Sequence, residues 1–321
     1  MKAIRIHELG GPDVLRLEEV ETPKLSAGSV LIKTEVVGVN FADTMIRKGI
    51  YLTRPPLPFT PGFEAAGHIE AVGAGVEGLR VGQRVMARIQ GGGYAEYAAA
   101  KAEQVTPVPD GLEFGPATAL LVQGLTALGL LKDLKAGQTV LIHAAAGGVG
   151  SLLVQLAKLR GARVIGTSST PAKLEVVKEL GADAAVNYTE EGWTEKVRAA
   201  TPNGAGVDLL IEMVGGAVGE QSLGCLAPGA TMIIYGAASG KDFPISALSL
   251  LLGKHLTVKG YTLYSDESAE TLEGFTHELM SHVKDGRLKV LVQEFPLARA
   301  ADAHRALEGR QTTGKLVLRV E

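Results

Sequence analysis

Cysteine is almost missing from this chain. Cys225 stands alone among 321 residues, so no intramolecular disulfide can form and a four-cysteine metal site is excluded. The seven histidines, at 7, 68, 143, 255, 277, 282 and 304, show no metal-ligand spacing, and His277 with His282 misses the i,i+4 register of one helical face. No block of like charge occurs either. Thirty-five acidic against 32 basic side chains give a net charge of −3, which argues against nucleic acid or an anionic membrane as a partner. The longest apolar runs, such as residues 248–252, are far too short to cross a bilayer. The first residues enter a β-like segment at once, with no signal-peptide core. Together these absences lead us to expect a cytoplasmic protein.

What is present is a chain long enough for two domains, with 46% hydrophobic residues and 41 glycines. The most informative stretch is Thr139-Val140-Leu141-Ile142-His143-Ala144-Ala145-Ala146-Gly147-Gly148-Val149-Gly150-Ser151. Its first half reads as a buried parallel strand, its second as a glycine-rich turn, and residues 152–160 carry helical apolar spacing. A turn of this kind leaves backbone N–H groups at a helix N-terminus, where they and the helix dipole suit a pyrophosphate. Ala145, Gly147 and Gly150 fall on the three positions of the dinucleotide fingerprint G-x-G-x-x-G, so its first glycine has become alanine. A strand at 162–167, a helix at 171–180 closed by Gly181 and a strand from 183 to 187 follow at the expected distances. This β-α-β-α-β run favours a dinucleotide site.

The end of the second strand selects the cofactor. NAD sites place Asp or Glu about 20 residues beyond the glycines to bond the ribose 2′-hydroxyl. Here the chain reads Gly166-Thr167-Ser168-Ser169-Thr170-Pro171-Ala172-Lys173, with no carboxylate until Glu175. Hydroxyls and an ammonium suit a 2′-phosphate, which a carboxylate would repel. NADPH is therefore expected over NADH.

The organisation of the rest supports two domains. The first hundred residues read as short strands (30–37, 65–72, 83–89, 94–99) broken by Gly and Pro, a mostly β, barrel-like unit. Residues 115–131 turn helical, and strands at 207–214, 231–235 and 257–261 continue the α/β alternation. A helix at 271–284, a strand at 290–296, a helix at 300–309 and a strand at 315–320 then break the pattern. The tail is expected to return to the first domain. The expected division is 1–118, 119–264 and 265–321.

Several motifs resemble one family. They are Gly38-Val39-Asn40-Phe41-Ala42-Asp43-Thr44, Pro61-Gly62-Phe63-Glu64-Ala65-Ala66-Gly67, Ala144 through Gly150 with Gln155-Leu156-Ala157-Lys158, Leu180-Gly181-Ala182-Asp183, Asn187-Tyr188, and Gly314-Lys315-Leu316-Val317-Leu318. Over its whole length the chain is similar to the zinc-independent, zeta-crystallin-like quinone oxidoreductases of the medium-chain dehydrogenase/reductase superfamily. The resemblance implies an α/β fold: a GroES-like β-barrel domain, a Rossmann doubly wound parallel sheet, and an active-site cleft between them. It also implies NADPH, quinone or activated-alkene acceptors, and a homodimer. Where zinc-dependent relatives carry a ligand Cys, Asn40 stands; where they carry Gly-His-Glu, the sequence is Gly62-Phe63-Glu64. No metal is expected.

Hydride transfer without a metal needs the acceptor held against the nicotinamide and a hydrogen-bond donor for the oxygen on which charge grows. Asn40 is the first candidate for that donor, or for a bond to the nicotinamide ribose, and Tyr51 the second, as donor and proton source. Asp43 is expected to buttress Asn40. The resemblance places Thr126 at the nicotinamide end and Ala146, Gly147, Gly148, Val149 and Gly150 on the pyrophosphate. By the same resemblance Ser168, Lys173 and Tyr188 surround the 2′-phosphate. Val214-Gly215 and Tyr235-Gly236 end parallel strands where such ligands lie. Lys315 is a further candidate for a phosphate, although an ordinary exposed lysine is the plainer reading. Strand 256–263, apolar and expected at a sheet edge, invites pairing with its copy in a dimer. Two alternatives stay open: an enoyl-thioester or 2-alkenal reductase, for which Arg47, Lys48 and Arg54 would have to meet substrate phosphates, and an NADPH-binding structural or redox-sensing protein without turnover.

Overall fold

The computed structural model describes residues 1–51, 54–263 and 267–320. The chain forms two compact units, residues 1–122 with 291–321 and residues 123–290. In the first, β1 (Lys2–Arg5) and β2 (Arg16–Glu19) make a small antiparallel pair. The long strand β3 (Ser29–Val39) runs antiparallel to β4 (Glu64–Val72). Helix α1 (Phe41–Lys48) starts directly after β3 because Asn40 adopts an extended cap conformation and Asp43 accepts from its backbone N–H; it ends at Gly49, whose φ of 72° suits a left-handed cap. Strands β5 (Arg84–Arg88), β6 (Tyr97–Lys101) and β7 (Val105–Pro107) follow, then helix α2 (Phe114–Ala119).

The second unit begins with α3 (Leu125–Leu130) and a fully buried β8 (Thr139–Ile142). Next come α4 (Gly148–Leu159), β9 (Arg163–Ser168), α5 (Pro171–Glu179), β10 (Ala184–Asn187) and α6 (Trp193–Ala199). Strand β11 (Val207–Glu212), α7 (Gly216–Ser222), β12 (Leu226–Ile234), β13 (Thr257–Gly260) and α8 (Ala269–Lys284) complete it. All six strands are parallel, in the order β10-β9-β8-β11-β12-β13. This is a doubly wound Rossmann sheet, whose order reverses between β8 and β11, the place where such sheets take their ligands. Helix α5 is set by Thr170, whose hydroxyl accepts from Lys173 N at 3.4 Å, and by Pro171 in its first turn. Among the described residues no helix is long and apolar enough to cross a membrane.

The chain then returns to the first unit with β14 (Val292–Pro296), α9 (Ala300–Glu308) and β15 (Lys315–Arg319). Strand β15 pairs with both β14 and β3, giving a seven-stranded sheet ordered β14-β15-β3-β4-β5-β7 with β6 also on β3. Its core gathers Ile4, Ile32, Val37, Val39, Val85, Leu316 and Leu318.

Two details differ from the sequence reading. The return starts at 291 rather than 265, because α8 packs on the second unit against α3, burying Leu272 and Leu279. The single helix expected at 115–131 is interrupted by a π-helical turn at Leu120–Gly124. There Val122 N donates to the Glu64 carboxylate at 2.8 Å, and a side-chain acceptor inserted into the helical ladder is a recognised cause of such turns.

Candidate active site

In the first unit, four side chains, Asn40, Asp43, Glu64 and Lys315, form one buried polar cluster. Asn40 caps α1, Glu64 opens β4, and Lys315 opens β15. Asn40 Nδ2 donates to Glu64 Oε2 at 2.8 Å, and Lys315 Nζ donates to Asn40 Oδ1 at 3.1 Å and is ion-paired with Glu64 Oε2. The other Glu64 oxygen accepts from Val122 N. Asp43 Oδ2 accepts from Asn40 N at 2.7 Å, which is the buttressing role expected of it. Glu64 and Asp43 are fully buried and Lys315 is 1% exposed. The amide plane of Asn40 is thus fixed from both ends, by an acceptor on its nitrogen and a donor on its oxygen.

Lys315 corrects the sequence reading. It is not an exposed lysine: its ammonium compensates the buried Glu64 carboxylate and holds Asn40. Glu64, the last residue of the Gly62-Phe63-Glu64 stretch, is the hub of the cluster. Its hidden signal is Gly38 in the motif Gly38-Val39-Asn40. A Cβ there would lie 2.9 Å from Lys315 Nζ and run into the Glu64 carboxylate, so only glycine lets the ion pair lie against β3.

Burial pushes the Asp43 carboxyl up to about 7, against the opposing effects of the Asn40 N–H and the Lys315 charge. Tyr51 lies half-buried after α1, its phenol raised by burial and by the Asp43 charge. Arg47 and Lys48, which a phosphorylated thioester would need, both pair with Glu308, Arg47 from a fully buried position; Arg54 remains exposed.

The second unit holds the glycine loop where the sequence put it. Gly147, Gly148 and Val149 are half-exposed and Gly150 is buried at the start of α4. The first helical N–H groups have no carbonyl ahead of them, so this turn presents donors to a ligand. A Cβ on Gly150 would strike the Ala144 backbone, 2.8 Å from Ala145 Cα, which fixes it as the close-packing glycine of the fingerprint. The alanine at the first fingerprint position is accommodated by a glycine elsewhere: Gly166 on β9, where a Cβ would sit 2.8 Å from Ala145 Cβ. Gln123, missed by the sequence reading, lies with its side chain against Gly148.

Ser168 ends β9, and Tyr188 N donates to its carbonyl at 3.2 Å; both residues are buried, and Lys173 is half-buried in the first turn of α5. The structure thus gathers Ser168 and Tyr188 directly, with Thr170 rather than a carboxylate capping the helix that follows. Thr126 is 8% exposed on α3.

A second residue missed by the sequence reading, Glu212, ends β11 fully buried. Its Oε1 accepts from Val214 N and from Gly215 N at 2.7 Å, fixing the turn that carries two of the expected cofactor residues. Tyr235 N donates to the Glu212 carbonyl at 3.0 Å, so the two strand ends, Val214-Gly215 and Tyr235-Gly236, are tied to one residue. His143 lies 3.4 Å from Glu212 Oε2, bonded to Thr167 at 2.6 Å and Ser222 at 2.7 Å; burial holds its pKa down, a satisfied core histidine.

Among the described residues no three His, Cys, Asp or Glu side chains are placed to hold a metal ion. The donor set does not fit zinc: Asn40 and Phe63 occupy the ligand positions of zinc relatives, and Cys225 is buried with its thiol pushed up to about 12 by burial.

Residues 26–110 match the alcohol dehydrogenase GroES-like domain and residues 148–279 the zinc-binding dehydrogenase family. A probable quinone oxidoreductase of Schizosaccharomyces pombe is 37% identical over 98% of this chain and 96% of its own length. The Escherichia coli quinone oxidoreductase complexed with NADPH superposes with a TM-score of 0.93 at 34% identity, covering 99% of this chain and all of that one. The chain belongs to the quinone oxidoreductase family. A mycobacterial protein solved with NADPH is similar to the same degree, with a TM-score of 0.92 and 38% identity over 99% of this chain and all of that one. Membership accounts for the combination of a GroES-like unit with a Rossmann unit in one chain.

Proposed function

We propose that this quinone oxidoreductase family member is a metal-free, NADPH-dependent reductase of quinones and related conjugated carbonyl compounds. The observation that carries the reading is the acid-free end of β9 beside the glycine turn. Ser168, Thr170 and Lys173 stand where an NAD site would place a carboxylate. The N–H groups of Gly148, Val149 and Gly150 would hold the pyrophosphate, with Ala146 and Gly147 lining the turn before them; the Gly147 N–H itself donates to the Ala144 carbonyl at 2.8 Å. Ser168, Lys173 and Tyr188 would hold the 2′-phosphate, and Thr126 with the Glu212-fixed turns at Val214-Gly215 and Tyr235-Gly236 the nicotinamide end. When bound, NADPH supplies the hydride.

The protein's own work is done by the first unit. Asn40 is held in one orientation by Glu64 and Lys315, so its amide is a preorganised donor to the oxygen that gains negative charge. Tyr51 is the second donor and the proton source at that oxygen. The phosphorylated-thioester alternative loses support because Arg47 and Lys48 are already paired with Glu308.

The Rossmann edge strand β13 and the exposed Leu248 and Leu252, 76% and 65% accessible, favour a homodimer through that edge. A monomeric mass by analytical ultracentrifugation would count against it. The lone, buried Cys225 is in keeping with a reducing cytoplasm.

The deciding experiment follows NADPH oxidation at 340 nm with a panel of quinones and enones, beside fluorescence titration of NADPH and NADH. We expect quinone-dependent oxidation and tighter NADPH binding. Binding without oxidation by any acceptor points to the non-enzymatic alternative, and tighter NADH binding removes the cofactor assignment.

A further inference from the structure

The first unit holds a cavity of 690 Å³ that the hydride-transfer reading leaves without a task. Small-ligand pockets usually enclose roughly 300–1,000 Å³. Ile46 of α1, Pro55, Phe59, Pro61 and Phe63 give it apolar walls, and Gly91 and Gly92, at φ of 122° and 87°, keep one side clear of side chains. Backbone hydrogen bonds tie these walls together, from Ile6 N to the Phe59 carbonyl at 2.9 Å and from Gly92 N to the Thr60 carbonyl at 2.8 Å. The cavity is built on the segments that carry the candidate site. Ile46 lies on the helix that Asn40 caps, and Arg54 follows Tyr51 by three positions. Phe63 directly precedes Glu64, whose carboxylate accepts from the Asn40 amide at 2.8 Å.

Into these apolar walls the chain sets two arginines, Arg5 and Arg54. Arg54 is exposed and Arg5 is half-buried at the end of β1, and neither side chain has a hydrogen bond or an ion pair among the described residues. Other arginines of the unit are met: Arg47 by Glu308, and Arg84 by the Leu112 carbonyl at 2.6 Å. Strand register makes Arg5 more costly still. It lies directly opposite Arg16 in the β1–β2 pair, a like-charge arrangement that destabilises a ladder. Glu8 eases Arg16 at 3.8 Å, and Arg5 has no such relief. Glu21, the one acid of the lining, is exposed and pairs with neither arginine, so the lining keeps an excess of positive charge. A half-buried guanidinium carries five donors and no acceptor, and in an apolar cavity it calls for an anion.

We propose that this cavity receives an acid substituent of the electron acceptor, so that the protein favours quinones bearing a carboxylate or sulfonate over neutral ones. The proposal rests on the function proposed above and names the acceptor class of that same site. Arg5 presents a planar fork matched to two oxygens of one acid group, and Arg54 adds a second positive charge on the exposed side. The walls at Ile46, Phe59 and Phe63 take the ring carbons beside the acid. The oxygen that gains charge on hydride transfer is left to Asn40 and Tyr51. No electron or proton passes through the cavity. Its contribution is binding, which is read in KM rather than in kcat.

The test compares naphthoquinone and its sulfonate as acceptors for wild type, Arg5→Met, Arg54→Met and the control Arg16→Met. The quantity read is KM for the sulfonate divided by KM for the neutral quinone, a ratio that cancels any general loss of folded protein or of hydride transfer. We expect Arg5→Met to raise it at least five-fold and Arg54→Met at least three-fold, with Arg16→Met changing it less than two-fold. Added salt should raise the wild-type ratio and leave that of Arg5→Met nearly constant, because salt screens the attraction. Arg54→Met, at an exposed position, keeps the test open should Arg5→Met fold poorly. An unchanged ratio in both cavity variants overturns the proposal, and so does an equal rise in all three, which marks a diffuse charge effect. If wild type reduces neither quinone, the reductase reading fails, and calorimetric binding of naphthalene sulfonate, which accepts no hydride, judges the cavity separately. There, at least five-fold weaker binding to Arg5→Met upholds the site, and equal or absent binding overturns it.

Discussion

The two units build their sites by opposite means. In the Rossmann unit the proposed ligand surface is backbone: successive N–H groups of one turn, Gly148 to Gly150, delivered by contiguous sequence. In the first unit it is side chain: Asn40, Asp43, Glu64 and Lys315 meet from positions up to 275 residues apart, and every hydrogen bond among them runs between charged or amide groups in the interior. A backbone site is protected by glycines and tolerates changes in surrounding charge. A buried charge cluster depends on each member being present, because removing one leaves another desolvated and unpaired.

The largest expected effect follows from that dependence. Replacing Lys315 by Met removes the cation paired with Glu64 Oε2 in a fully buried setting. We expect a loss of about 3–5 kcal/mol in unfolding free energy, the usual consequence of stranding a buried charge. The double variant Lys315→Met with Glu64→Gln should recover at least half of that loss, since no net charge is then buried. Urea denaturation of the single and double variants measures both. A single-variant loss below about 1 kcal/mol would mean that water reaches Glu64 and that the contrast between the units is overstated.

The same contrast explains what the sequence discloses. The alternation of apolar strands and helices from 139 to 260, the glycine turn and the acid-free end of β9 are local patterns, and the structure carries all of them. Asn40 and Asp43 were also legible, because a cap and its third helical residue are sequence neighbours. The remainder was not. Lys315 looks like any surface lysine until β15 lands beside β3, and Glu64 gains its meaning only from Lys315 and from the break it makes at Val122. Gly166 compensates Ala145 across a strand pair, so the degenerate fingerprint could not be judged from its own residues. What is invisible in every case is a long-range pairing that fixes a polar side chain. The two local clues were glycines whose Cβ has no room, Gly38 and Gly166, and both stand in strands, where glycine is otherwise unfavourable.

A smaller effect separates orientation from binding within the first unit. Asn40→Ala removes the amide that Glu64 and Lys315 hold but leaves their ion pair in place. We expect kcat with a quinone to fall at least ten-fold while the dissociation constant for NADPH changes less than two-fold, as for a donor that acts on charge arising in the transition state. Stopped-flow hydride transfer together with NADPH titration reads the two quantities separately. Equal losses in both would make Asn40 a cofactor-binding residue, and the division of labour between side-chain and backbone sites would fail.

The smallest effect belongs to the Rossmann unit. Lys173 is half-buried in the first turn of α5, where the helix dipole mildly opposes a cation. Lys173→Met should therefore leave unfolding free energy within about 0.5 kcal/mol of wild type. An ammonium near a phosphate contributes a charge-assisted bond of about 1–2 kcal/mol, so NADPH should bind about five- to thirty-fold more weakly while NADH affinity stays unchanged. Isothermal titration with both coenzymes provides the comparison. If both weaken alike, Lys173 meets a group the two coenzymes share, and selection for the 2′-phosphate rests on the hydroxyls of the β9–α5 turn alone.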